Sequence, residues 1–201
     1  MQVLEAPTTN VISFSPLLRR YTLEEFWDLP EAEDRAHYEL IGGYLFMAPP
    51  PDPPHDDLDD RLKGSLVMFV KTHGSPGAVY HPRAAIYIDD TYLEPDMMYV
   101  SDELRERMGQ KRTSADIVFE YVSKSNAVYD RTTKADTYLA LGVRELWLID
   151  PVTVTIEVRY AVERDNRPAW EAWRFVKGDS AESRVLQGWS VPVDELFEGL
   201  V

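Results

Sequence analysis

The spacing of apolar and polar positions divides the 201-residue chain into many short elements. "YTLEEFWDLP" has Thr22 followed three residues later by Glu25, a capping box that predicts a short helix stopping at Pro30. "HYELIGGYLFMAP" reads as two strands joined by a Gly42-Gly43 turn, and "PPPDPPHDD" as a proline-rich connection. In "DDLDDRLKGSLVMFVKTHG", Leu58, Leu62, Leu66, Phe69 and Val70 form one helical stripe. "GAVYHPRAAIYI" and "EPDMMYV" read as strands, and "SDELRERMG" as a short capped helix.

"DIVFEYV" and "ELWLIDP" are apolar strands on either side of another helix. Asp130 serves as that helix's N-cap, and Gly142 with Val143 as its Schellman-type end. Ala135, Tyr138 and Leu139 form its buried stripe. "TVTIEVRYAVE" and "AWEAWRFVKG" alternate as an outer hairpin, and "VPVDELFEGL" closes as a short helix. This order predicts an α/β fold of the α+β type, a mixed sheet flanked by helices, and not an alternating doubly wound one. A single domain over 1–201 is expected, with 1–20 as an N-terminal arm and 153–201 as the C-terminal hairpin and helix of that domain.

Composition narrows the chemistry. With 44% hydrophobic residues the chain can bury a sizeable core, and 14 prolines and 11 tyrosines favour a strand-rich, turn-rich globule. The absence of cysteine excludes disulfides, thiol nucleophiles and cysteine-ligated zinc. No apolar run approaches the roughly 20 residues of a membrane span. The first residues show no basic region followed by an apolar core, so a secretory signal is not expected and the cytoplasm is. A net charge of −14 argues against non-specific grip on nucleic acid, which normally uses a basic face.

One glutamate stands out against this background. On a strand over "DIVFEYV", Val118, Glu120 and Val122 share one face, and Ile117, Phe119 and Tyr121 the other. Both faces are apolar, so the strand is central and covered on both sides. A carboxylate there costs several kcal/mol unless it is paired (order of magnitude). Glu120 therefore needs an arginine, a lysine or a metal, and a structural ion pair is the ordinary alternative to a functional one. Arg131 and Lys134 fall in the first turn of the next helix, where each costs roughly 0.3–1 kcal/mol against the macrodipole. An anion at that end reverses the sign; the ordinary alternative is that Asp130 and solvent tolerate them. Upstream, "YLEPDMMYV" puts Asp96 at a strand entrance marked by Pro95. An aspartate and a glutamate on two strands can hold one hard cation through oxygen. With a lysine added, the set suits metal-assisted phosphodiester hydrolysis.

Asp96 in "EPD", Glu120 in "FEYVS" and Lys134 in "DRTTK" resemble the PD-(D/E)xK nuclease set. The wider pattern, "YELIGGYLFMAPPPDPPH", "LEPDMMYVSDE" and "DIVFEYVSKSNAVYDRTTKADTYLALGVRELWLIDP", resembles the Uma family (Uma-two) of restriction-endonuclease-like proteins, from about Tyr21 to Tyr160. The resemblance implies a restriction-endonuclease-like mixed sheet and Mg2+- or Mn2+-dependent cleavage of nucleic acid, DNA in the first instance. It implies Asp96 and Glu120 as metal ligands and Lys134 as the catalytic cation. Glu39, His55, Arg131 and the Tyr121 backbone carbonyl are secondary members. The chain departs from the plain motif at Val122, two after Glu120, where the motif has lysine; in the Uma-like pattern the lysine comes from the following helix. A nuclease this acidic needs a partner, or a second protomer in a homodimer, to build a nucleic-acid surface. Two other readings stand beside it: an interaction protein that keeps the nuclease scaffold without turnover, and a metal enzyme of another sheet fold using His55, His73 and His81.

Overall fold

The computed structural model describes residues 19–32, 36–48, 54–123 and 127–200. Residues 1–18 of the expected arm and residues 49–53 of the proline-rich connection lie outside them. The first helix, α1 (Leu23–Trp27), has the expected box: Thr22 accepts from the Glu25 amide and Glu25 accepts from the Thr22 amide. β1 (His37–Ile41) and β2 (Tyr44–Ala48) pair antiparallel. Their turn needs two residues at positive φ, and Gly42 at 55° with Gly43 at 85° supply them.

Helix α2 (Pro54–Thr72) buries the expected stripe, Leu58, Leu62, Leu66 and Phe69. It begins two residues before the expected start, which puts His55 in its first turn rather than in a loop. Next come β3 (Gly77–Tyr80), β4 (Ile86–Ile88), β5 (Thr91–Leu93) and β6 (Met97–Ser101). Helix α3 (Asp102–Met108) is capped by the Ser101 side chain, and β7 (Ile117–Tyr121) is buried throughout. β8 (Glu145–Asp150), β9 (Thr155–Arg164), β10 (Arg167–Phe175), β11 (Ser180–Glu182), β12 (Ser190–Pro192) and a terminal helix (Val193–Leu196) complete the chain.

The main sheet has the order β10-β9-β8-β7-β6-β3. Among the described residues only β7 and β8 run parallel in it, and the intervening helical segment makes their crossover. A second sheet has the order β2-β1-β5-β4, so the stretch read as one strand candidate, "GAVYHPRAAIYI", is split between the two sheets. β7 is central, as its two apolar faces require. Ile117, Phe119 and Tyr121 pack with the α2 leucines and the C-terminal segment, while Val118 and Val122 pack with Tyr138, Leu146 and Leu148 on the opposite face.

The segment between β7 and β8 differs most from its expected form. It is a short α turn, α4 (Ala127–Tyr129), then a π-helical turn (Asp130–Lys134), then α5 (Ala135–Ala140). Asp130 is therefore not an N-cap; it is a buried residue inside the helical path. Arg131 and Lys134 lie in the middle of that path, so the macrodipole argument does not account for them. The C-terminal end is as read. Gly142 sits at φ 82°, and the Val143 amide donates to the Tyr138 carbonyl across the Schellman turn. Among the described residues, no helix is long and apolar enough to cross a membrane.

Candidate active site

β6 and β7 pair antiparallel with Met97 opposite Phe119, so one step further brings Asp96 level with Glu120. Asp96 sits in the bend before β6, where Pro95 ends the preceding backbone pairing. Its Oδ2 accepts from the Tyr121 amide at 2.8 Å, locking the entrance of one strand to the exit of the next. The π-helical turn lies over the same face and delivers Lys134, whose ammonium is almost fully buried. Its Nζ is 2.8 Å from Glu120 Oε1 and 3.2 Å from Glu39 Oε1. Three elements distant in sequence thus converge on one buried charge.

Glu39 is fully buried in the middle of β1. Besides Lys134, its Oε1 accepts the Glu94 amide at 3.0 Å, and its Oε2 accepts the Tyr129 hydroxyl at 3.1 Å. The Tyr129 ring stacks on Phe46 with centroids 4.8 Å apart, which fixes the hydroxyl. Both Glu39 oxygens are committed, so this residue holds Lys134. Glu120 is placed differently: Lys134 and the buried Tyr138 hydroxyl, at 2.5 Å, both bond its Oε1.

Negative charge is in excess. Glu39, Asp96, Glu120 and Asp130 all interact with the one ammonium of Lys134. Burial pushes Glu120 well above the ordinary carboxylate range; Lys134 opposes that, and Asp96, Asp130 and Glu39 add to it. Burial raises Asp96 as well, against the pull of Lys134 and the Tyr121 amide. It raises Asp130 to about 7. Burial works against the Lys134 charge, but Glu120 and Glu39 outweigh it and hold the ammonium well above its usual range.

A cavity of about 260 Å³ opens beside Asp96, and His37, His55, Asp59, Arg83 and Tyr121 help to line it. His55 is buried against the Tyr121 ring, with centroids 5.7 Å apart. The Nε2 atoms of His55 and His37 are buried without a hydrogen-bond partner among the described residues. The Tyr121 hydroxyl donates to Asp59 at 3.3 Å, and burial raises the Asp59 carboxyl.

Of the residues expected from sequence, Asp96, Glu120, Lys134, Glu39 and Tyr121 meet, and His55 borders them. Arg131 does not join them. It turns to Asp150 at 3.1 Å and Glu157 at 2.5 Å, a second cluster that also holds Arg159 and Arg174. The three-histidine site does not form: His55 and His73 sit at opposite ends of α2, about 27 Å apart along its axis. Sequence reading missed the polar parts of Tyr129, Tyr138 and Asp130. Tyr138 was read as core, and its ring is; nothing in the pattern marked its hydroxyl as a partner of Glu120.

The family described as "Putative restriction endonuclease", Uma2, matches residues 23–194. The chain belongs to the Uma2 family. A solved structure described as a putative nuclease belonging to DUF820, from Anabaena variabilis ATCC 29413, is 23% identical to this Uma2 chain. The match covers 90% of this chain and 99% of that one, with a TM-score of 0.71. At that identity the likeness shows the shared fold. No curated protein matches the chain.

The donor set fits the divalent ion that the family resemblance implies. Among the described residues, no three acids or histidines cluster closely enough to cage a metal by themselves. Mg2+ is commonly held by one or two carboxylates while keeping several waters, which suits a pair such as Asp96 and Glu120. The surplus of buried negative charge around one lysine, and the orphaned His55 nitrogen beside it, are features that an added cation would relieve.

Proposed function

We propose that this protein is a divalent-metal-dependent endonuclease that hydrolyses phosphodiester bonds in nucleic acid, DNA in the first instance. The observation that carries this reading is the buried convergence of Asp96, Glu120 and Lys134, with the lysine 2.8 Å from Glu120 although it lies 14 positions further along the chain. The family and the fold of its neighbour support it.

Asp96 and Glu120 would hold Mg2+ or Mn2+, with the Tyr121 carbonyl at the strand end as a further oxygen. The bound ion would polarise the phosphate and lower the pKa of a water. Lys134 stays charged because Glu120 and Glu39 surround it, so its task is to orient the attacking water and to stabilise charge developing on the phosphate. Glu39 holds Lys134 through Oε1 and is itself fixed by Tyr129 and the Glu94 amide. His55, against the Tyr121 ring, would meet substrate on the cavity side.

The test is incubation of purified protein with plasmid, single-stranded DNA and RNA under Mg2+ and Mn2+, beside Lys134→Ala. Cleavage by wild type that needs both the ion and Lys134 is expected. If no substrate is cut, or the variant cuts equally well, the nuclease reading fails. One observation favours a second reading, a nuclease-fold interaction protein without turnover: Asp56, Asp59 and Glu94 line the cavity beside Asp96 and repel a polyanion. A protein that binds the ion and cuts nothing would be that one.

A further inference from the structure

We propose that Tyr138 is a positioning residue that commits one oxygen of Glu120 and so leaves the other for the cation, making Glu120 a one-oxygen ligand. This rests on the metal-dependent reading above. Tyr138 is fully buried on α5 and its hydroxyl donates to Glu120 Oε1 at 2.5 Å. Lys134 Nζ bonds the same oxygen at 2.8 Å. Two donors from successive helical turns therefore converge on one oxygen, and no hydrogen bond from the described residues reaches Oε2. Asp96 shows the same division: Oδ2 is bonded to the Tyr121 amide, and no hydrogen bond from the described residues reaches Oδ1. Glu39 shows the opposite case, since donors occupy both of its oxygens. The three carboxylates thus sort into two with a spare oxygen and one with none.

Packing alone does not call for the hydroxyl. Phenylalanine would fill the same core position beside Val118, Val122 and Leu148, and a buried hydroxyl is costly unless it is bonded. What the hydroxyl adds is direction. With Lys134 alone on Oε1, the carboxylate can rotate about its terminal bond and share both oxygens with a cation. A second donor on the same oxygen removes that freedom, as outer hydrogen bonds commonly do for metal ligands.

The test is manganese binding by the full chain without substrate, for wild type, Tyr138→Phe and Tyr99→Phe. Tyr138→Phe is expected to weaken Mn2+ by on the order of tenfold, the usual effect of removing such a partner. Tyr99→Phe removes another buried hydroxyl, one that donates to the Pro76 carbonyl away from the carboxylates, and is expected to leave Mn2+ affinity unchanged. Equal losses in both variants would mark general loosening of the core and overturn the assignment. Unchanged affinity in Tyr138→Phe, with wild type binding normally, would overturn it while leaving the metal-dependent reading intact. No binding by wild type would overturn both. A second measurement does not depend on how the tyrosine variants fold. In wild type carrying 13C-labelled glutamate, the infrared carboxylate bands that shift on adding Mn2+ and are missing in Glu120→Gln should show the wide splitting of one-oxygen ligation. The narrow splitting of two-oxygen ligation would sink the proposal.

Discussion

Arg131 and Lys134 leave the same π-helical turn three residues apart and enter clusters of opposite balance. Register explains why the clusters stay separate. Glu120 on β7 is opposite Leu148 on β8, Leu148 is opposite Glu157 on β9, and Glu157 is opposite Arg174 on β10. These four residues form one row on one face of the sheet, and the fully buried Leu148 divides it. On one side, Glu120 and three other acids surround a single lysine. On the other, Arg131, Arg159 and Arg174 surround Glu157, with Asp150 beside Arg131. The second cluster satisfies itself: burial pushes Glu157 up, but its arginines outweigh that and hold the carboxyl below its usual range. The first does not, because Asp96, Glu120 and Asp130 remain raised even with Lys134 in place. The Glu157 cluster closes its own charge; the Glu120 cluster keeps a surplus of acid over its one lysine.

If that contrast holds, the largest effect should come from Lys134→Met. Removing one partner of a buried ion pair costs about 3–5 kcal/mol. Urea unfolding should show a loss of that order, and the cleavage proposed above should fall by on the order of a hundredfold or more. A variant of wild-type stability and activity would erase the distinction between the clusters. Glu157→Gln should come next, with a stability loss of about 1–3 kcal/mol and metal binding unchanged. Its pH dependence has a definite sign. Glu157 is lowered in the fold from an ordinary 4.5, so its contribution is full above about pH 4.5 and is lost as pH falls through the lower folded value. The stability gap between wild type and Glu157→Gln should therefore shrink below that pH; a gap that grew on acidification would refute the closed-charge description.

Arg174 probes the exposed end of the row. Its side chain is 61% exposed although it lies 3.3 Å from Glu157, so Arg174→Ala should cost less than about 1 kcal/mol. The smallest expected number is a coupling. Lys134→Met and Glu157→Gln, with Leu148 between their sites, should combine additively to within about 0.5 kcal/mol in a double-mutant cycle. A larger coupling would mean that the two clusters act as one network.

Much of this was legible in the chain, and the gaps have physical causes. Glu120 was visible because β7 is apolar on both faces, and Gly42-Gly43, Thr22 with Glu25, and Gly142 with Val143 act through neighbours in sequence. The π-helical turn was not legible. On an α-helix, residues 131 and 134 lie about 60° apart and would face one way; a wider turn spreads them to different clusters. Glu145 was hidden for another reason. It opens a strand that reads as solidly apolar, yet it is buried and accepts from Trp147, from the Ser183 hydroxyl and from the Arg184 and Val185 amides. Three of those partners lie some 40 residues downstream, beyond any local pattern. The committed and spare oxygens of Glu39 and Glu120 were out of reach for the same reason.

Val122 carries a consequence of its own. It stands two residues after Glu120, is 2% exposed, and packs against the core on the α5 side. A lysine there would have to send its chain back past Glu120 through that packed layer. With the cation supplied from the helix, the strand end is free to be hydrophobic, and burying the valine stabilises the fold by roughly 1.5–3 kcal/mol. What defines the site is then a point in space near Glu120 Oε1, and any segment able to reach that point can furnish the charge. Spacing along the chain is only one way of addressing it.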